Sequence, residues 1–312
     1  MIFPDRYKAD RYGDALFKGV SFFFAFSVII ILLLILAVLF KESLPSLRKF
    51  GFGFLYNRQW DPVGQSFGGL AAIYGTVVSS IIAIVIAVPI SLGIAIFLTE
   101  MAPRGLKGPI GTAIELLASI PSIIYGMWGL FIFAPLISEH VAPFMNQYLG
   151  WTVLFSGEPM GIGMLTAGVI LAIMIIPFIS SVARDIFQMV PSILKESGYG
   201  VGATKWEVIR KVVIPYTRSG VIGAVILGLG RALGETMAVT FVIGNSHEIS
   251  ARLLNPATSI SATLANEFTE AVEDIYLSSL VELGLILFLI TFVSLAVAKL
   301  LIRRFSYQGG RL

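Results

Sequence analysis

Residues 227–239 read LGLGRALGETMAV. The run is apolar enough to belong to a membrane span, yet Arg231 and Glu235 place two full charges in it. On a continuous helix they lie one turn apart and can touch. A charge at mid-bilayer costs about 2.5–3.5 kcal/mol on insertion scales, and simulations give more. Mutual neutralisation eases insertion, but two apolar residues would insert better. If this stretch crosses a membrane, its charges serve something beyond insertion.

The rest of the chain says that it does cross. Of 312 residues 56% are hydrophobic and 13% charged, against about 25% charged in ordinary soluble domains. Mean hydropathy is +0.88. These values exclude a disordered chain and point to a polytopic membrane protein. The absence of cysteine excludes disulfides, thiolate catalysis and cysteine-based metal sites. The two histidines, His140 and His247, fall between apolar runs and are expected to be solvated loop residues. Apolar stretches of membrane length cover roughly 17–40, 70–98, 112–137, 161–183, 219–243 and 278–302. Backbone polar groups in lipid must be satisfied internally, so each is expected to be a helix. The fold class is therefore an all-α polytopic membrane protein with six transmembrane helices. Two parts are expected: 1–69, an N-terminal transmembrane helix with an extracytoplasmic segment, and 70–312, a five-helix core. Pro89, Pro121, Pro135 and Pro177 fall within or at the ends of spans and are candidate kinks.

Lysine and arginine set the orientation. Segments 1–18, 99–109, 184–218 and 299–312 hold sixteen of them, and 41–69, 138–160 and 244–277 hold five. Both termini are thus expected in the cytoplasm. The exception on the outer side is 41–69, with Lys41, Arg48, Lys49 and Arg58 among aromatics and glycines, as if lying along the outer interface.

The inner segment 184–218 is far longer than a connector of 2–8 residues. Pro191 opens a short helical stretch that ends in ESGYGVGA. Thr204 and Glu207 then form a T-x-x-E capping box for a second helix. Trp206, Ile209, Val212 and Val213 fall on one face of it, and Pro215 is expected to end it. Such a hairpin is either an interfacial amphipathic segment or a docking surface for a cytoplasmic partner. Spacing favours docking. Permeases of ATP-binding-cassette importers carry a loop pattern E-A-A-x₃-G-x₉-I-x-L-P; here stand Glu196, Ser197 and Gly198, then Gly202, then Val212-Val213-Ile214-Pro215 in register.

The resemblance extends beyond the loop. LLASIPSIIYGMWGLFIFAPL (116–136), GVILAIMIIPFISSVARDIF (168–187), GLGRALGETMAVTFVIGN (228–245) and AIFLTEMAP (95–103) resemble the phosphate-transport permease family PstC. RALGET is similar also to the sister family PstA, but YGMWGLFIFAPL and LANEF (264–268) are closer to PstC. The resemblance runs over about 50–305. It implies a MetI-like importer permease in the cell (inner) membrane, paired with a PstA-like sister permease. It further implies two copies of a PstB-like ATPase and an extracytoplasmic PstS-like phosphate-binding protein. ATP and Mg would act on the ATPase, with no cofactor on this chain. In keeping with that, the chain has no G-x-x-x-x-G-K-[ST]; GYGVGATK has the wrong spacing. Neither G-x-S-x-G nor H-E-x-x-H occurs, so no enzyme activity is expected here.

Arg231 can serve an anion, being always protonated, planar and able to offer two parallel donors to an oxyanion. Glu235 can hold it when no anion is present, and Thr236 can add a hydroxyl. Gly228, Gly230 and Gly234 leave one side of the helix small, for a hydrated ion or for close helix packing. Chemistry alone yields an anion; phosphate comes from the resemblance, in which Arg231 and Glu235 match the charged pair implicated in phosphate passage. Glu115 and Glu282, near the ends of spans three and six, are expected to be interfacial or helix-pairing residues. A stand-alone anion channel or ion-coupled carrier is the alternative within transport, but it leaves the long inner loop unexplained. A non-transporting scaffold accounts for the loop and not for the charges in span five.

Overall fold

The computed structural model describes the backbone of residues 4–158 and 160–307, with side chains within 13–300 apart from Arg104 and Pro159. It is nearly all helical; pairing between extended segments among the described residues is limited to two isolated bridges, Asp61 with Ser66 and Gly244 with Ala257. In chain order the helices are α1 (Pro4–Phe50), α2 (Gly53–Tyr56), α3 (Leu70–Met101), α4 (Arg104–Ala118), α5 (Ser122–Leu149), α6 (Met164–Gln188), α7 (Ser192–Gly200), α8 (Lys205–Leu233), α9 (Met237–Val242), α10 (Ile260–Glu267) and α11 (Asp274–Tyr307). Six of these, α1, α3, α5, α6, α8 and α11, are long and apolar enough to cross a membrane.

Two spans depart from expectation. The third does not run over 112–137. Residues 104–118 form a separate helix, the chain breaks at Ser119–Pro121, and the span occupies 122–149. Pro121 dictates the break, because a residue preceding proline is disfavoured in the α region. Within α5, wide π-type turns over Gly129–Phe133 and Ile137–Val141 each precede a proline, Pro135 and Pro143, at the start of the next helical turn. Such turns are a known accommodation in helices that continue past an irregularity. The fifth span is also discontinuous. α8 begins in the loop at Lys205 and stops at Leu233, and the short α9 begins at Met237. Pro215 does not end the loop helix as expected: a wide turn over Ile209–Val213 carries the helix through it. Proline sits in the first turn after that widening, where its missing N–H does least damage.

The core lies between α3 and α6. Gly168 lets Ile82 approach so closely that a Cβ there would meet its Cγ2 at 2.5 Å. Ala83, Ala87, Ala167, Ala172, Ile170 and Ile175 fill this contact and are all fully buried. Small residues permit close helix approach where lipid supplies no hydrophobic drive. A second cluster, Phe54, Phe67, Ile260, Tyr276, Leu280 and Leu283, ties α2, α10 and α11 together at the other end of the bundle from the 189–204 loop. α1 is joined to α11 near its C-terminal turns, where the Ser46 N–H donates to the Ser278 hydroxyl at 3.0 Å and that hydroxyl to the Glu42 carbonyl at 2.9 Å. Its apolar side chains over 16–40 are largely exposed on the single chain.

Candidate functional site: a broken span and a docking hairpin

Arg231 occupies the last turn of α8, and the helix ends two residues later. Gly234, Glu235 and Thr236 lie between α8 and α9. The break cancels the one-turn relation expected of a continuous helix. Among the described residues no ion pair joins Arg231 to Glu235. The Glu235 carboxylate instead accepts from the Ala238 N–H at 3.3 Å, satisfying a first-turn donor of α9. Arg231 is exposed on this chain, and its guanidinium carbon stands 5.8 Å from the centre of the Phe178 ring of α6. That contact favours a cation without neutralising it. Arg231 thus carries a charge that no carboxylate of the described residues cancels.

The backbone around the break is held from α10. The Ser261 hydroxyl donates to the Glu235 carbonyl at 2.7 Å, and the Ser259 hydroxyl accepts from the Ala262 N–H at 3.1 Å, capping α10. The Ile260 N–H donates to the Thr76 hydroxyl of α3 at 2.8 Å. Thr258 presses its carbonyl on Gly75, where any Cβ would collide with it. The Thr258 and Thr263 hydroxyls bond each other at 2.9 Å. The run 258–263, Thr-Ser-Ile-Ser-Ala-Thr, therefore folds back to the level of Glu235 and buckles it in place. Sequence reasoning missed this hydroxyl set; its signal is the alternation of hydroxyl and apolar residues directly before LANEF. Thr236 lines a cleft of about 410 Å³ with Ser261, Leu39, Leu264 and Gly284, apart from Arg231 and Glu235, which do not line it. Gly228 serves packing: a Cβ there would meet Ile179 Cδ1 at 2.6 Å. Gly230 and Gly234 have more room, their nearest neighbours standing 3.6 Å from an added Cβ.

At the far end of α8 the loop forms the expected hairpin. Pro191 precedes α7, Thr204 caps α8, and the capping box is reciprocal, with the Thr204 hydroxyl accepting from the Glu207 N–H and the Glu207 carboxylate from the Thr204 N–H. Those bonds and the nearby Lys211 hold the Glu207 carboxyl below its ordinary range. Between the helices Gly202 has φ +86°, a conformation that side chains resist. Gly198 lies against Val208, where a Cβ would sit 3.1 Å from Cγ2, so the α7–α8 contact demands a small residue at that position. One face departs from expectation. Val208, Ile209 and Val213 are buried, whereas Trp206 is 61% exposed and points away from this chain. Trp206 joins Ile193, Tyr199 and Val201 as exposed apolar residues on the hairpin. Glu196 and Ser197 are exposed there as well.

An ion pair fixes the hairpin to a span, Lys195 donating to Glu100 at the end of α3 at 2.6 Å, and another, outside the hairpin, has Arg184 at the end of α6 donating to Glu115 of α4 at 2.6 Å. Glu115 is thus a surface pairing residue outside the spans. Glu282 lies within α11 and is buried. Neither histidine is the solvated loop residue expected: His140 is exposed but lies in the wide turn Ile137–Val141 of α5, and His247 is part-buried. Its ring stacks on Trp60 at 5.3 Å and its Nε2 lies 3.0 Å from Glu267. Glu267 also accepts from Trp60 Nε1 at 2.7 Å and from the Tyr276 hydroxyl at 2.8 Å. No cluster of three or more histidine or acidic residues suited to a metal occurs among the described residues.

Residues 62–307 match the family described as binding-protein-dependent transport system inner membrane component. The phosphate transport system permease protein PstC of Mesorhizobium japonicum is 58% identical over 301 residues, covering 95% of this chain and 92% of that protein. The chain belongs to the PstC permease family. PstC of Pasteurella multocida is 55% identical, covering 96% and 94% of the two chains. A probable PstC permease of Methanocaldococcus jannaschii is 38% identical over 89% of this chain and 90% of its own. Among solved structures, a bacterial alginate ABC transporter in complex with a periplasmic protein superposes with TM-score 0.60 at 16% identity, covering 94% of this chain and 97% of that one. The MetNI methionine ABC transporter in an inward-facing state superposes with TM-score 0.52 at 18% identity, over 76% and 94%. Those two likenesses establish the MetI-like permease fold, and the chain is a multi-pass inner-membrane protein.

Proposed function

We propose that this chain is the membrane-spanning permease subunit of an ATP-driven inorganic phosphate importer, with Arg231 as the cation met by phosphate at mid-membrane. The observation that carries the reading is the unneutralised guanidinium at a helix break in a span that continues unbroken to the docking hairpin. Discontinuous helices at mid-membrane expose backbone polar groups only where they line a cavity or are buried in protein. Glu235 acts by holding the start of α9 in place, and its carboxylate limits how long an anion dwells near Arg231. Thr236, on its own cleft, is the weakest of the three site assignments.

Arg231 is exposed on the single chain, and the path is closed by a sister permease of PstA type. ATP and Mg act on two copies of a PstB-like ATPase, which the exposed hairpin of Glu196, Ser197, Gly198, Gly202 and Trp206 engages. Because α8 runs from that hairpin through Pro215 to Arg231, a shift of the docked hairpin moves the break as one body. A PstS-like binding protein delivers phosphate to the opposite face. Both termini lie in the cytoplasm, and the segments that follow α1, α5 and α9 begin on the outer side. The test is ATP-dependent phosphate uptake by proteoliposomes holding the four subunits. A stand-alone channel or carrier gives uptake without the ATPase, and a scaffold gives none; either outcome rejects the reading. An impermeant thiol reagent that labels a cysteine at position 200 from outside intact cells rejects the topology.

A further inference from the structure

The side chain that meets the Arg231 guanidinium is Phe178 of α6. The guanidinium carbon lies over its half-buried ring, 5.8 Å from the centre, within the range at which a ring face attracts a cation. Among the described residues Arg231 has no carboxylate partner and donates no hydrogen bond. The Tyr125 hydroxyl is within electrostatic reach of Arg231, but it is committed to the Leu117 carbonyl at 2.9 Å. Orienting the guanidinium therefore falls to the Phe178 ring.

That ring stands on a firmly held stretch of α6. The Ser91 hydroxyl of α3 donates to the Ile176 carbonyl at 3.2 Å, and the Ser180 hydroxyl to the Pro177 carbonyl at 3.1 Å. On the α8 side Gly228 packs against Ile179, whose Cδ1 would stand 2.6 Å from an added Cβ. Arg231 follows Gly228 by three residues and so lies on the same face of α8. The close Gly228–Ile179 contact sets the register of the two helices and brings Arg231 to the ring of Phe178.

A carboxylate holds a guanidinium by taking up its N–H donors and cancelling its charge. A ring face attracts the cation and leaves its charge whole, with no competing oxygen on the donors. For a group that receives an oxyanion and lets it go, the second kind of hold keeps the binding capacity free. We infer that Phe178 is a positioning residue for transport, keeping the Arg231 guanidinium in place over α6 until an anion takes up its donors. This rests on the reading of Arg231 as the cation met by phosphate. It gives the α6 span a part in the path, beside its part in the core.

The test is the maximal rate of ATP-dependent phosphate uptake by proteoliposomes of the four-subunit complex, with fluorinated phenylalanines introduced at position 178. Successive ring fluorines withdraw negative charge from the ring face while nearly keeping its shape, so each should lower the rate further. Phe178→Leu should lower it by about five- to thirtyfold, the worth of a desolvated cation–π contact, and Phe178→Tyr should retain most of it. A flat fluorine series overturns the proposal even where Phe178→Leu is impaired, because the ring then serves by bulk alone. Arg231→Gln, measured alongside, separates this inference from the reading beneath it. Uptake kept in Arg231→Gln removes Arg231 from the path and Phe178 with it; uptake lost there, beside a flat fluorine series, removes Phe178 alone.

Discussion

The two ends of α8 handle charge in opposite ways. At the hairpin end charges meet partners: Lys195 with Glu100, Arg184 with Glu115, Lys211 with Glu207, and Glu207 with the backbone of Thr204. At the broken end Arg231 has an aromatic ring beside it and no carboxylate, and Glu235 is turned to its own backbone. With the break at mid-membrane, as proposed, water is abundant at the first place and scarce at the second, so desolvation predicts the reverse arrangement. What separates them is use. The Lys195–Glu100 pair fixes the hairpin to α3 so that the two can be pushed as a unit, and Arg184 with Glu115 ties α6 to α4. An unpaired charge at the break is available to something that arrives and leaves.

The sharpest way to break this contrast is to remove the charge at the break. Arg231→Gln should lower phosphate uptake by about a hundredfold or more, since two charge-assisted bonds to an oxyanion are lost, while the complex still assembles. Arg231→Lys should be clearly impaired, because a point charge lacks the planar fork. The double variant Arg231→Gln with Glu235→Gln should stay inactive. Recovery of uptake in it would show the two residues to be a structural pair after all.

The next effect belongs to the hairpin end. Glu100→Gln leaves Lys195 part-buried with a weaker partner and should destabilise the α3–α7 contact by about 1–3 kcal/mol. It should show as loss of ATPase subunit on size-exclusion of the complex, with phosphate-independent membrane levels unchanged. Gly202→Leu should act through backbone strain, because an added Cβ meets nothing within 4 Å but φ is +86°. A left-handed conformation costs a non-glycine residue roughly 1–2 kcal/mol. Uncoupled ATP hydrolysis or weaker docking is expected; normal uptake with normal stoichiometry would put the functional demand elsewhere in the hairpin.

How much of this was legible beforehand follows from which forces are local. Span lengths, the capping box and the loop spacing depend on residues close in sequence, and the structure carries all three. Span three was misplaced because hydropathy does not register the break that Pro121 imposes between two apolar stretches. The Arg231–Glu235 contact was expected from helical spacing, yet Gly234 and the capping demand of α9 ended the helix between them. Periodicity places Trp206 on one face with Ile209 and Val213, but it cannot say which part of that face this chain covers and which part it leaves exposed. The Ser261 and Thr76 bonds join positions 26 and 184 residues from their partners, and no local pattern announces them.

The smallest expected effect sharpens the comparison from a third place, the face opposite the hairpin. There Glu267 gathers Trp60, His247 and Tyr276 from three separate segments, a paired charge of the hairpin kind. Burial works to raise its carboxyl, but the hydrogen bonds from His247, Tyr276 and Trp60 outweigh burial and hold it below the ordinary value of 4.5. A group whose folded pKa is depressed stabilises the fold fully above its unfolded value and loses that contribution as pH falls through the folded one. The clamp should therefore be intact at pH 6 and loosen only at pH below the ordinary value of 4.5, where protonation weakens the acceptor. Hydrogen exchange at residues 57–66 and 245–250, compared at pH 6 and at acid pH after correction for intrinsic rates, should show added opening in acid. Glu267→Gln keeps the shape without the charge, so its exchange should already be raised at pH 6 and should change less on acidification. Equal acid response in both proteins would mean that the aromatic stacking of Trp60, and not the carboxylate, holds these segments together.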